Sequence, residues 1–434
     1  MAEIIPFRAW RYNFARAGRP EEVLAPPFDI ISPDEAAALR ESHEHNIVHL
    51  VLGSLPAGGA RPEGAYRQAA EKLRRWQQSG VLVRDEKPAI YPYEQEFVGP
   101  DGQRRTRFGF VCALRLVPFG QRVVYPHEET FDKPVDDRVS LMRACRANLS
   151  MVFAIFRDEA RVAERALAAA IARGAEKLFE FTDANGVVHR MFRVDDEETI
   201  RTVAQRLAPR PLIIADGHHR YSACLRLAEE LRQSAGGRRG PWDYCTVYLC
   251  NMVDRGMTIY PTHRLLRCAS DVDWGRLARY FELRELPSPT PQAIVEHLRD
   301  LAARRAVGFV IHTKEKTCAA RLRRFDDVAP LIEPDRPEYW RRLGYVVLHA
   351  VVIRSILGVD DRHASGQALA YTPEVGEALA RVASGEFHVA LLVNPPTLQD
   401  LQNVCLAGAR MPHKATYFYP KVLSGAVIRS LEEF

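Results

Sequence analysis

The residues best suited to chemistry are concentrated in one stretch, RPLIIADGHHRYSACLRLAEEL at 210–231. Residues 212–215 form a short apolar run, after which Tyr221, Cys224, Leu225, Ala228 and Leu231 recur at helical spacing. The pattern predicts a strand, a tight turn and a helix. The turn is Asp216-Gly217-His218-His219-Arg220. A helix N-terminus carries unsatisfied N–H groups and the positive end of the macrodipole, so it favours anions. Two histidines and an arginine there are electrostatically misplaced unless negative charge offsets them. Asp216 offsets part, as a cap or as a partner of Arg220, and a phosphate would offset more. Gly217 would admit a phosphate closely, and Arg220 could give it two parallel hydrogen bonds. Two further readings stay open here. Asp216 could simply cap the helix and pair with Arg220, leaving the histidines on the surface. Alternatively, His218 or His219 could ligate a metal.

Other clusters offer weaker chemistry. His127-Glu128-Glu129-Thr130-Phe131-Asp132-Lys133, followed by Asp136, Asp137 and Arg138, is rich in acid–base groups, although such a run also suits a solvated loop. Ala25-Pro26-Pro27-Phe28-Asp29 is a stiff segment presenting one carboxylate, or a structural turn before a helix at 33–42. Pro261-Thr262-His263-Arg264 sets another His-Arg step at a strand end. Met411-Pro412-His413-Lys414 leads into Ala415-Thr416-Tyr417-Phe418-Tyr419-Pro420-Lys421, where bases and aromatics alternate. That could stack a nucleobase; a packed aromatic strand with surface lysines is the favoured reading.

The elements that must hold these residues read as α+β, a mixed sheet with helices. Strands are predicted at 89–97 and 106–118 around a turn at 99–102, and at 187–194, 245–251, 307–313 and 415–419. Helices are predicted at 67–78, 137–149, 159–173, 340–357 and 397–407. Pro/Gly-rich breaks fall at 54–64, 233–241 and 286–291. The last is taken as a soft boundary between an α+β region at 1–285 and an α/β region at 286–434, packed as one module. A net charge of +5 over 434 residues argues against a polybasic nucleic-acid binder; no helix-turn-helix is evident either. The opening MAEIIPFRAW lacks the pattern of a signal peptide, and no apolar run reaches membrane-span length. Eight cysteines without C-x-x-C spacing suit reduced thiols in a cytoplasmic protein.

Four segments together resemble a known family. APPFDIISPDEA at 25–36, HEETFDKPVDDR at 127–138, ADGHHRYSA at 215–223 and MPHKATYFYPKVLSG at 411–425 look like the hallmarks of the prokaryotic domain of unknown function 1015, in the family's order. The departure is Ala415, where the family usually has Ser. More distantly, the turn at 197–232 is similar to the phosphate-binding strand-turn-helix of ParB/sulfiredoxin-like proteins, whose free-serine kinases carry DGHHR.

That resemblance implies a small-molecule phosphotransferase, a nucleotide-dependent kinase of free L-serine or a similar hydroxyl metabolite. Gly217, His218, His219 and Arg220 would cradle the phosphates of ATP or ADP, and Asp216 would hold Mg²⁺ or orient Arg220. Asp216, His218, His219 and Glu128 form the expected catalytic set, with Glu128 as general base and Asp29 behind it. Arg138 or Arg264, with Asp29, would meet the substrate. The alternatives are a ParB-like nucleotide-binding switch and a metal-dependent hydrolase using His127, Glu128, His218 and His219. Oligomeric state is not legible.

Overall fold

The predicted apolar runs pair into a mixed sheet in the computed structural model, which describes residues 1–52, 63–268, 272–287, 289–359 and 368–434. The break expected at 54–64 lies, up to residue 62, outside the described residues. The nine strands are β1 (Ile4–Ile5), β2 (Tyr91–Val98), β3 (Arg104–Arg115), β4 (Val124–Tyr125), β5 (Val152–Phe156), β6 (Glu176–Thr182), β7 (Val188–Arg193), β8 (Leu212–Asp216) and β9 (Tyr244–Asn251). They run in the order β4-β8-β5-β9-β3-β2-β7-β6, with β1 on β3. β8 lies parallel to β4 and β9 parallel to β5; the other pairs are antiparallel.

One face of this sheet is apolar. Phe110, Cys112, Val152, Ala154, Ile214, Val247 and Leu249 pack with the buried sides of α2 (Asp132–Cys145), α3 (Val162–Ala172), α4 (Glu197–Leu207) and α5 (His218–Ser234). α1 (Glu63–Gln78) is the helix expected at 67–78. Large side chains buried this fully stabilise a fold by roughly 1.5–3 kcal/mol each. The opposite face mixes polar and aromatic groups: Arg107 sits opposite Gln95, and Phe153 opposite Tyr248. A bulge between Ile214 and Asp216 shifts the register, so that Ile214 faces Ala154 and Asp216 faces Phe153. With a strict period of two, Asp216 would share the core face of Ile214. The bulge turns it to the opposite face instead.

α2 begins and ends earlier than the predicted 137–149. It stops at Arg146, which has φ +50°, because residues 147–148 pair with Arg429–Ser430. The chain divides into two compact units, Met1–Thr258 with Pro420–Phe434, and Ile259–Tyr419. The break at 286–291 therefore lies inside the second unit.

That second unit holds β10 (His263–Leu266), β11 (Phe281–Glu285), β12 (Gly308–His312), β13 (Thr317–Leu322), β14 (Leu369–Thr372) and β15 (Val389–Leu392), an antiparallel sheet ordered β11-β13-β12-β15-β10-β14. The helix predicted at 340–357 breaks into short turns, Glu338–Arg341 and Gly344–Val347, the latter continuing as a π-helix over Leu348–Ile356. The expected helix at 397–407 spans Leu398–Leu406, and Thr397 with Asp400 forms its capping box. Ala415 is fully buried, its N–H on the Pro412 carbonyl at 3.2 Å. All eight cysteines are buried. No helix among the described residues is long and apolar enough to cross a membrane.

Candidate functional site

The turn after β8 is shaped by its glycine. Gly217 has φ +86°, and a Cβ there would lie 2.9 Å from Nε and 3.0 Å from Cζ of Arg220. The space that sequence reading reserved for a phosphate is thus filled by the arginine of the same turn. Arg220 is buried, donating from Nη2 to Asp216 Oδ2 at 3.0 Å and from Nη1 to the Met151 carbonyl. Its Nε is buried without a hydrogen-bond partner. Asp216 is not a helix cap, since no side chain caps α5. Its second oxygen accepts from Lys421 Nζ at 3.4 Å. Burial alone would raise the Asp216 carboxyl, but Lys421 and then Arg220 outweigh it and hold the group well below the usual carboxylate range.

The histidines are not the cations that the sequence suggested. His218 Nε2 accepts the main-chain N–H of His127 at 3.1 Å, and His219 Nε2 accepts that of Phe131 at 3.2 Å. A ring nitrogen that accepts carries no proton, so both rings in this arrangement are neutral. The conflict with the helix dipole therefore shrinks to Arg220, which Asp216 matches. The rings instead stitch the 127–131 loop to the start of α5. His127 is buried and donates from Nδ1 to the Ile214 carbonyl at 2.5 Å. Its Nε2 stands 3.9 Å from Glu128 Oε1, and its ring meets that of His218 edge-on at 4.4 Å. Burial lowers its pKa, more than Glu128 raises it.

Two distant segments complete the cluster. Arg138 donates to the Asp137 carboxylate from Nε (2.8 Å) and Nη2 and to the Val51 carbonyl from Nη1 at 3.0 Å. Its guanidinium lies 3.8 Å from the centre of the Phe28 ring, and it lines one small cavity with Arg220, Asn148 and Cys224. Expected as a substrate ligand, Arg138 is engaged in holding the 25–29 segment through Phe28. That segment places Asp29 Oδ2 3.8 Å from Arg220 Nη2.

Residues 420–425 supply the other segment. The Ser424 N–H donates to the Ala25 carbonyl at 2.8 Å. Gln95 Nε2 donates to the Lys421 carbonyl at 2.8 Å, and Arg107 Nη2 donates to Gln95 Oε1 and to the Pro420 carbonyl. Arg107 has no solvent exposure and lies over the rings of Phe153 and Tyr248, at 4.8 and 5.6 Å. Lys421, read from sequence as a surface flank of an aromatic strand, is thereby pinned with its ammonium on Asp216. The only sequence signal for it was its place in the PKVLSG segment.

Arg264 belongs to the second unit. It donates to His349 Nε2 at 3.1 Å and to the carbonyls of Thr262, His413 and Lys414, with Tyr345 and Tyr371 flanking it at 4.4 and 5.5 Å. The arrangement does not fit Mg²⁺ on Asp216, because both carboxylate oxygens face cations. Among the described residues no group of three or more His, Cys, Asp or Glu could hold a metal. A cavity of about 480 Å³ elsewhere in the first unit is lined by Arg115, Arg232 and Arg239. The first two already have Glu3 and Asp243 as partners.

Fold and site together define an α+β protein with an Asp–Arg–Lys cluster, its arginine buried, at a strand-to-helix turn, assembled from four separate segments. The chain belongs to the family described as "Protein of unknown function (DUF1015)", whose model matches residues 4–343. No curated protein matches the sequence significantly. Among solved structures it is similar to a free serine kinase in complex with AMP, at 12% identity over 68% of this chain and 83% of that one, with TM-score 0.33. It is also similar to a conserved hypothetical protein from Pyrococcus furiosus (12%, 69% and 88%, TM-score 0.31) and to SbnI with C-terminal truncation from Staphylococcus aureus (10%, 71% and 85%, TM-score 0.34). At such distances the chemistry has to be argued from the site itself.

Proposed function

We propose that the first unit is a nucleotide-dependent phosphotransferase acting on a small hydroxyl metabolite, with free L-serine as the most concrete acceptor. The observation that carries this reading is the convergence of Arg220 and Lys421 on Asp216. Two cations are held ready on one carboxylate, at a helix start that itself favours anions. Phosphoryl transfer asks mainly for positioning and charge neutralisation, and a phosphate would take Lys421 and Arg220 as partners while Asp216 keeps both oriented. Gly217 keeps the turn tight against Arg220, and His218 and His219 fix the loop that carries Glu128. Glu128, partly exposed beside His127 Nε2, is the candidate base for the acceptor hydroxyl. Asp29, 3.8 Å from the same Nη2, adds a second negative charge beside Arg220. Mg²⁺ arrives with the nucleotide as part of the substrate.

The test is ³¹P NMR of the full chain with Mg-ATP or Mg-ADP and a panel of serine, threonine, glycerol and homoserine. Phosphorylated acceptor, absent in Arg220→Ala and reduced in Lys421→Ala, is the expected result. No product and no nucleotide turnover by the unaltered protein would refute the proposal.

A further inference from the structure

Single exposed apolar side chains are ordinary on any protein surface, so position is what distinguishes two of them here. Phe131 is 52% exposed and Ile30 is 38% exposed. Ile30 directly follows Asp29, whose carboxylate lies 3.8 Å from Arg220. The Phe131 ring stacks on the His219 imidazole, with centroids 6.2 Å apart and planes 23° from parallel. Its main-chain N–H fixes the same imidazole at Nε2. His219 immediately precedes Arg220, so the ring that carries Phe131 and the buried guanidinium share the first turn of α5.

We infer that the Phe131–His219 pair seats a nucleobase, so that the ligand of the turn is a nucleotide rather than a bare polyphosphate or a sugar phosphate. The inference rests on the phosphate reading of Arg220 and Lys421 and adds the part of the ligand that carries no charge. Only a molecule with both an anionic chain and a flat π-face matches both halves of this surface. A stacked base tightens binding by roughly fivefold to a hundredfold, and it does so without regard to salt, unlike the phosphate contacts.

Titration calorimetry of the full chain with Mg-ATP and with Mg-tripolyphosphate separates the two halves. ATP is expected to bind at least fivefold more tightly than tripolyphosphate. Phe131→Ala, at a half-exposed position, should abolish that difference and leave the tripolyphosphate affinity in place. In Phe131→Trp, indole fluorescence should be quenched by ATP and not by tripolyphosphate. Equal binding of the two ligands, or an ATP advantage that survives Phe131→Ala, overturns the base seat and spares the phosphate reading. Failure of both ligands to bind overturns both.

Discussion

Gly217→Ala is the sharpest test of how the turn is built. The substitution has two costs that the geometry separates. An L-residue at φ +86° sits in the left-handed region, at about 1–2 kcal/mol. The new methyl would also stand 2.9–3.0 Å from Nε and Cζ of Arg220, so the guanidinium must move. It cannot do so freely, because Asp216 at 3.0 Å and the Met151 carbonyl hold its two ends. Loss of one such charge-assisted bond costs about 1.5–3 kcal/mol. The sum is about 2.5–5 kcal/mol in the unaltered background. In an Arg220→Ala background the obstacle is gone, and only the backbone cost of about 1–2 kcal/mol should remain. Urea unfolding of the four proteins in this cycle measures the difference, a coupling of about 1.5–3 kcal/mol. If the two substitutions add within about 0.5 kcal/mol, the close packing of Arg220 on Gly217 is not what requires the glycine.

Three further outcomes follow from the same cluster and its surroundings. Asp216 is held low against its burial by Lys421 and Arg220, so its ionised form contributes stability that is complete above the unfolded carboxyl pKa, near 4, and is lost as pH falls toward the folded value. Lys421→Met removes one cation and should move the acid-unfolding midpoint to higher pH; an unchanged midpoint contradicts the pairing. Arg107→Met should cost about 1–3 kcal/mol by taking the guanidinium donor from the Pro420 carbonyl and Gln95 Oε1, and should speed amide exchange at 421–424 more than at β5; equal protection in both proteins would show that Arg107 does not hold this segment. The thiols should be inert in the folded protein, because burial raises Cys224 to about 12 and Cys405 to about 12. A thiol reagent should titrate all eight only in denaturant, and rapid reaction of the native protein would argue against the buried placement.

The chain shows where sequence reading reaches and where it stops. The strand-turn-helix at 212–234 and the hairpin around 99–102 were legible because their signals are local: an apolar run, a helical period, a glycine at the bend. The same locality misled the electrostatic argument. Three consecutive basic letters looked like three charges, but the main-chain N–H groups that donate to Nε2 of His218 and His219 come from residues 127 and 131, which no spacing rule connects to them. Arg138 was sought as a substrate ligand when its neighbour Asp137 and the ring of Phe28 already engage it. Lys421 was missed for the same reason, since it meets Asp216 across 205 positions. The bulge that turns Asp216 off the core face leaves no trace in the alternation of β8, which is apolar throughout until its last residue.

Residues 420–434 belong to the first unit although 259–419 form the second. During synthesis, Asp216, Arg220 and His219 leave the ribosome long before Lys421 does. At ordinary elongation rates of 5–20 residues per second, the turn waits on the order of ten to forty seconds for its second cation and for the clamp that Arg107 closes. Until then Asp216 has only Arg220, and the Ala25–Ser424 pairing cannot form. A nascent chain that has not yet released Lys421 therefore carries the turn without the complete cluster.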